Sequence, residues 1–294
     1  MYIKLISDIH VEWGAPFKII CTPQDPDTIL ILAGDIDNVS NFQHTVERIV
    51  RSTNFLGYIL IPGNHEYYGN DFEECQKQFR ELEDYFAMSD EFDNVWFSCE
   101  SMKVVVYDTS FIFGPMWTDG GESEIARKVT EASLSDFRVI RNGQLLWTVD
   151  RMREEFFGFV GALEEILEYV DTPKTVLVTH HLPTYQAIAP EYKNSPSNGG
   201  FAVELSKYVK PELLEKIDVM CFGHTHSCIK KKVMIGNKKV QLLCNPRGYP
   251  KHQIIGMEPI FENNGFKQNF LFDVDSMKLR STGKKWFTPP TEML

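Results

Sequence analysis

No basic excess marks this chain. It carries 30 Lys and Arg against 41 Asp and Glu, a formal net charge of -11. General nucleic-acid binders show a clustered basic face and a high pI, so no stable nucleic-acid binding is expected, although net charge hides a local groove. No apolar run approaches the ~20 residues that span a bilayer, and no membrane partner is expected. The start, MYIKLISDIHVEW, lacks a basic region followed by a signal core and cleavage site. A cytoplasmic location is the expectation. The six cysteines form no CxxC pair, and reduced, mostly buried thiols are the simplest reading. Repeats and low-complexity tracts are absent too, which excludes solenoids and linker-rich assemblies.

What is present is a recurring short apolar run that ends in polar residues. Tyr2–Ile6, Thr28–Leu32, Tyr58–Ile61, Thr175–Thr179 and Ile217–Phe222 read as strands. Asn41–Arg51, Asp71–Phe86 and Trp147–Val170 read as amphipathic helices. Val95–Ser98, Lys103–Tyr107 and Phe111–Phe113 read as consecutive strands. Gly236-Asn237 between two apolar segments signals a hairpin. The expectation is an α/β fold of two mixed sheets packed face to face, with helices outside. One domain, 1–294, is expected, with a cap or insert at about 114–170.

The chemistry-bearing residues fall at the ends of these runs. Asp8 and His10 follow the first strand, Asp35 the second, and Asn64 and His65 the third. His180 follows TVLVT, and His224 and His226 follow IDVMCF. Loops leaving the carboxyl ends of strands build sites in α/β sheets. In extended chain, residues i and i+2 point the same way, so Asp8 with His10, and His224 with His226, are expected to share an ion. Gly34, Gly63 and Gly223 each precede one of these residues and allow tight turns. Four imidazoles, two carboxylates and one amide oxygen suit Mn, Fe, Zn, Co or Ni. A calcium site would prefer oxygens alone, and a structural zinc site needs only four ligands. Seven ligands fit two divalent ions if one carboxylate bridges them. With a bridging hydroxide, such a centre attracts phosphate and supplies a nucleophile at neutral pH.

The ordered set Asp8-Ile9-His10, Gly34-Asp35-Ile36-Asp37-Asn38, Gly63-Asn64-His65-Glu66, His180 and Gly223-His224-Thr225-His226 resembles the calcineurin-like metallophosphoesterases. Their pattern is D-x-H, G-D-x-x-D, G-N-H-[DE], H and G-H-x-H. The resemblance implies a four-layer sandwich of two mixed β-sheets flanked by helices. It places Asp8, His10, Asp35 and His226 on a first ion, and Asp35, Asn64, His180 and His224 on a second. His65 is then the catalytic residue beside the metals, helping the leaving oxygen accept a proton. One position departs: Asn38 stands where the family often has the Asp that orients this His, so another carboxylate is needed or the acid is weaker.

The stretches Met116-Trp117-Thr118-Asp119, Asp136-Phe137-Arg138, Thr179-His180-His181 and Asn245-Pro246-Arg247-Gly248-Tyr249 resemble a bacterial and phage-type branch of that family. Arg247 is a candidate phosphate contact, since guanidinium pairs bidentately with phosphate, or else a turn arginine. His181 and Asn38 are further candidates for substrate contact. The implied function is hydrolysis of a small phosphodiester or nucleotide with two divalent transition-metal ions, Mn foremost. Phosphomonoesterase, nuclease and, more remotely, non-catalytic scaffold are the alternatives.

Overall fold

The computed structural model describes residues 1–252 and 260–280. The first sheet holds β1 (Tyr2–Ile6), β2 (Thr28–Ala33), β3 (Gly57–Ile61) and β4 (Val95–Phe97) as consecutive parallel neighbours. The second sheet begins with the hairpin β5 (Met102–Val106) and β6 (Thr109–Phe113). A small hairpin follows, β7 (Arg141–Asn142) and β8 (Leu145–Leu146). The second sheet continues through β9 (Lys174–Val178), β10 (Val219–Phe222), β11 (Ile229–Ile235) and β12 (Lys238–Cys244), in the order β11-β12-β10-β9-β6-β5. After the short pair β13 (Pro250–His252) and β14 (Ile260–Phe261), β15 (Phe272–Asp273) and β16 (Lys278–Leu279) return to the first sheet beside β1. The expected two mixed sheets with flanking helices are observed.

The parallel strands are apolar on both faces because both faces are covered. Alternate residues divide between two layers. Ile3, Leu5, Ile29, Ile31 and Ile61 meet Phe111, Phe113, Val176, Val178 and Leu243 between the sheets. Leu30, Leu32 and Leu60 turn outward into a cluster with Phe42, Val46 and Ile49 of α1 (Val39–Arg51) and Phe79 of α2 (Phe72–Met88). Truncating one such side chain costs about 2–5 kcal/mol.

The helix starts follow capping chemistry. Asp71 Oδ1 accepts from Glu74 N at the head of α2. Ser123 and Thr148 do the same for α3 (Glu124–Ser133) and, beyond the short α4 (Asp136–Val139), for α5 (Val149–Glu168). Within the expected insert, α5 sends Phe156, Leu163 and Leu167 into the core as an outer-layer helix. The part that reaches the strand-end edge is Ser133–Asp136. A last short helix, α6 (Pro211–Leu214), precedes β10. All six cysteines are free; Cys75, Cys99, Cys221 and Cys244 are buried, whereas Cys21 and Cys228 are exposed.

The two sheets are tied at the carboxyl ends of their parallel strands. Arg247 N donates to Ser7 O and Gly248 N to Asp8 O. Asn245 Nδ2 donates to Leu5 O at 2.8 Å. This seam brings the loops after β1, β2, β3, β9, β10 and β12 to one edge.

Candidate metal centre

The seven expected ligands meet at that edge. Asp8, His10, Asp35 and His226 bring one donor atom each within 4.8 Å of one another, and Asp35, His180 and His224 form a second such group. Asp35 is common to both. Asn64 joins the second through Oδ1, 3.1 Å from His180 Nε2. One geometric expectation needs correcting. His224 and His226 fall in different groups, and the extended backbone on which the i, i+2 expectation rested is absent at both pairs, Asp8–His10 included. Asp8, His10, Asp35, His224 and His226 all have left-handed backbone, with φ of 51, 46, 53, 65 and 47°. Non-glycine residues adopt this conformation only when their surroundings impose it, at a cost of order 1–3 kcal/mol each.

The surroundings that impose it are hydrogen bonds between loops. Asp8 N donates to Gly34 O and His10 N to Asp35 O, each at 3.0 Å. His224 N donates to Asp8 Oδ1 at 2.9 Å. Glu66, fully buried, accepts from three backbone amides: Asp35 N, Ile36 N and Gly63 N. That carboxylate clamps the β2 and β3 loops together. It is the fourth residue of Gly63-Asn64-His65-Glu66, to which sequence reasoning assigned no task.

The donor set fits cations. His180 Nδ1 lies 2.9 Å from Ala33 O, an acceptor only, so Nδ1 donates and Nε2 is left to face Asn64 Oδ1, another acceptor. His10 and His226 point their Nε2 atoms at each other across 3.1 Å. Their Nδ1 atoms are held by Glu12 and Glu262. Carboxylates behind imidazoles are the usual support for metal-ligating histidines. His224 Nε2 is buried and has no partner within the protein. Lone pairs converging with no donor between them are what a dication requires.

Without ions, protons take that place. Burial disfavours charge on His226, but its hydrogen bonds to Asp8 and Glu262 prevail and raise its pKa to about 10. His180 is raised to about 9, burial being outweighed by the charge of Asp35. Burial also opposes ionisation of Asp35, yet His180 and His65 hold it well below the usual carboxylate range.

His65 lies outside these two ligand groups and forms a third cluster of donor atoms with His10 and Glu12. Its Nδ1 is 3.1 Å from Glu12 Oε1, the same oxygen that takes His10 Nδ1 at 2.9 Å. Its Nε2 shares a hydrogen bond with the Tyr249 hydroxyl at 2.7 Å, and its ring stacks on Tyr68 at 4.1 Å. Despite burial, the charges of Asp35 and Glu12 raise the His65 pKa. The carboxylate missing at Asn38 is therefore supplied from elsewhere, by Glu12. Asp136, buried, accepts from Asn64 Nδ2 at 2.9 Å and Tyr68 Oη at 2.6 Å, which turns Asn64 Oδ1 toward His180. Glu12, Tyr249, Asp136 and Glu262 escaped sequence reasoning as site residues. The available signals were the Glu two places after His10 and the unexplained stretches containing Asp136 and Tyr249.

The three residues expected to touch substrate are engaged elsewhere. A cavity of about 480 Å³ opens over the ligands, and none of the three lines it. Arg247 is buried, donates to Ala15 O at 2.8 Å and Pro16 O at 3.3 Å, and lies over Phe261 at 3.9 Å. It holds the loop after β1, which is the turn-arginine alternative. His181 is wedged between Trp117 and His224, with centroids 5.2 and 4.3 Å away. Burial and the neighbouring His180 depress its pKa to about 3, so it is neutral. Asn38 caps α1, accepting from Asn41 N and Ser40 Oγ.

Among solved structures, the phosphopantetheinyl hydrolase of Mycobacterium tuberculosis matches with a TM-score of 0.59 at 17% identity, over 90% of this chain and 97% of that one. A dimetal phosphatase from Danio rerio matches with a TM-score of 0.44 at 13% identity, over 83% and 86%. The first likeness is one of fold. No curated protein matches the sequence significantly. Among the described residues no helix is long and apolar enough to cross a membrane. The sequence model of calcineurin-like phosphoesterases matches residues 1–228, the span that holds every ligand above, and the chain belongs to that family of metal-dependent phosphoesterases.

Proposed function

We propose that this protein hydrolyses a small phosphodiester or nucleotide-type substrate with two divalent transition-metal ions, Mn foremost. Asp8, His10, Asp35 and His226 hold the first, and Asp35, Asn64, His180 and His224 the second. When bound, the ions supply Lewis acidity and a nucleophile at neutral pH. The chain's own residues do the rest. Glu12 and Glu262 orient His10 and His226, and Asp136 orients Asn64. His65 and Tyr249 line the cavity beside these ligands, and His65 is read as the proton-carrying group and not as a ligand.

One observation carries the preference for a diester. Glu12 Oε1 at 3.1 Å from Nδ1 and the Tyr249 hydroxyl at 2.7 Å from Nε2 hold the His65 ring at the cavity wall, where an imidazole can carry a proton. An alkoxide leaving from an alkyl ester needs that proton, and the cavity beyond the ligands leaves room for the second substituent of a diester. The test compares bis- and mono-p-nitrophenyl phosphate with added Mn, the diester being hydrolysed faster. For a diester with an alkyl leaving group, His65→Ala lowers kcat by about 10²–10⁴ while metal content stays unchanged. The effect is smaller for p-nitrophenolate, which departs without a proton. A faster monoester assigns the phosphomonoesterase alternative instead. No metal-dependent turnover of either ester would sink the reading. A DNA ladder is expected to pass through unchanged.

A further inference from the structure

The cavity over the ligands has a second half that the chemistry above does not use. Leu134, Leu182, Ile188 and Phe201 line it with apolar surface, and Leu134 packs against Gly200 beside Phe201. The Phe201 ring lies 4.8 Å from that of His224 at 38°, so this surface starts directly beside the second ligand group. Tyr68 and Tyr249, which also line the cavity, lie 4.1 and 5.5 Å from the His65 ring. The lining also includes uncharged polar groups, Ser133, Ser195 and Asn198 among them.

No Lys or Arg is found among the described residues that line this cavity, whereas Asp136 and Glu262 do line it. Away from the ions, an anionic substituent would find no counter-charge and two carboxylates nearby. An uncharged ring would instead bury apolar surface against Phe201, Ile188 and Leu182, and stacked or tilted aromatic contact adds to that burial.

We infer that the substrate is a phosphate ester whose second substituent is an uncharged, ring-bearing group seated against Leu182, Ile188 and Phe201, and not a polyphosphate or an acidic peptide. This rests on the phosphodiester form of the proposed function and narrows its substrate class. The ring site is separate from the ions: the phosphate stays at the ligands, and the substituent chooses among esters of equal reactivity.

The test holds the leaving group constant. Phenyl, methyl and 4-carboxyphenyl p-nitrophenyl phosphates are hydrolysed by the Mn-loaded wild-type chain. The phenyl ester is expected to exceed the methyl ester in kcat/KM, after correction for their uncatalysed rates, by at least about tenfold. The carboxyphenyl ester is expected to fall about tenfold or more below the phenyl one. Phe201→Ala and, separately, Ile188→Ala reduce the phenyl-to-methyl ratio; both side chains are partly exposed, so two independent variants guard against misfolding. Diphenyl phosphate should compete better than dimethyl phosphate by a similar factor. A phenyl-to-methyl ratio near one, a carboxyphenyl ester as good as the phenyl ester, or a ratio untouched by both variants would overturn the inference while the phosphoesterase reading stands. No turnover of any ester would remove both.

Discussion

Glu12 carries two histidines on one oxygen, His10 from the first ligand group and His65 outside it. Its own carboxyl is burdened by burial, but hydrogen bonds from both histidines hold it below the usual range. Removing its charge must lower the pKa of His65. Glu12→Gln is therefore expected to move the alkaline limb of the kcat/KM profile to lower pH, and to cut turnover of an alkyl diester about 10–100-fold. An unmoved limb would show that Glu12 only packs. The histidines also set a pH dependence. His226 and His180 have folded pKa values of about 10 and about 9, above the ordinary value of about 6.5. In the ion-free chain their ion pairs stabilise fully below about pH 6.5 and are lost as pH rises toward 9–10. Ion binding runs oppositely, because each ligand must give up its proton. With chelator, melting temperature should fall from about pH 6.5 to 8.5; over the same range Mn affinity should rise, with protons released in calorimetry.

At the scale of the element, the site consists of loops forced into unfavourable backbone. Five ligands with positive φ are held by amide–carbonyl bonds between loops and by the Glu66 clamp. Glycine keeps those loops close. A Cβ at Gly63 would strike Asp35 Oδ1 and lie 2.6 Å from His180 Cε1 and Nε2. A Cβ at Gly34, whose φ is +83°, would strike His180 Nδ1 and come within 2.8 Å of the Gly63 backbone. Both neighbours are ligands or the backbone beside them, so relief requires moving a ligand. Gly63→Ala is expected to destabilise the fold by about 1–3 kcal/mol. It should also reduce bound Mn from two per chain toward one or none. Elemental analysis alongside circular dichroism separates loss of metal from loss of fold, and a variant that keeps two ions would contradict this account.

For the whole molecule, the ligands come from both sheets. Asp8, His10, Asp35 and Asn64 lie on loops of the first, and His180, His224 and His226 on loops of the second. An ion bound between them is a cross-link that the unfolded chain lacks. At a free concentration 100 times Kd, one such ion adds about 2.7 kcal/mol. For a chain of this size that corresponds to roughly 4 °C in Tm. Chelation should lower Tm by that amount, and Mn should restore it. Asp35→Asn, which removes the shared carboxylate, should abolish most of the shift. An equal Mn-induced shift in that variant would mean that the ions stabilise from another site.

The order of elements and the identity of the ligands were legible in the chain itself. Strands covered on both faces must be apolar runs, and metal donors must be His, Asp or Asn placed where those runs end, so composition and position coincide at Asp8, Asp35, Asn64, His180 and His224. Helix α2 was readable from Phe72, Phe79, Leu82 and Phe86 for the same reason: one face is buried. What tertiary structure alone decided lies between residues far apart in sequence. The chain crosses from one sheet to the other between Phe97 and Met102, within three consecutive strands that look alike. The left-handed turns at Asp8, His10, His224 and His226 are held by contacts between loops, and which ligand group each residue joins is set by how those loops pack. Glu12 meets His65 across 53 residues and Tyr249 meets it across 184. Arg247 is held by Ala15 O 232 residues away. Donor chemistry is a property of residue type and is written in the sequence; which donor faces which acceptor is set only when the sheets pack.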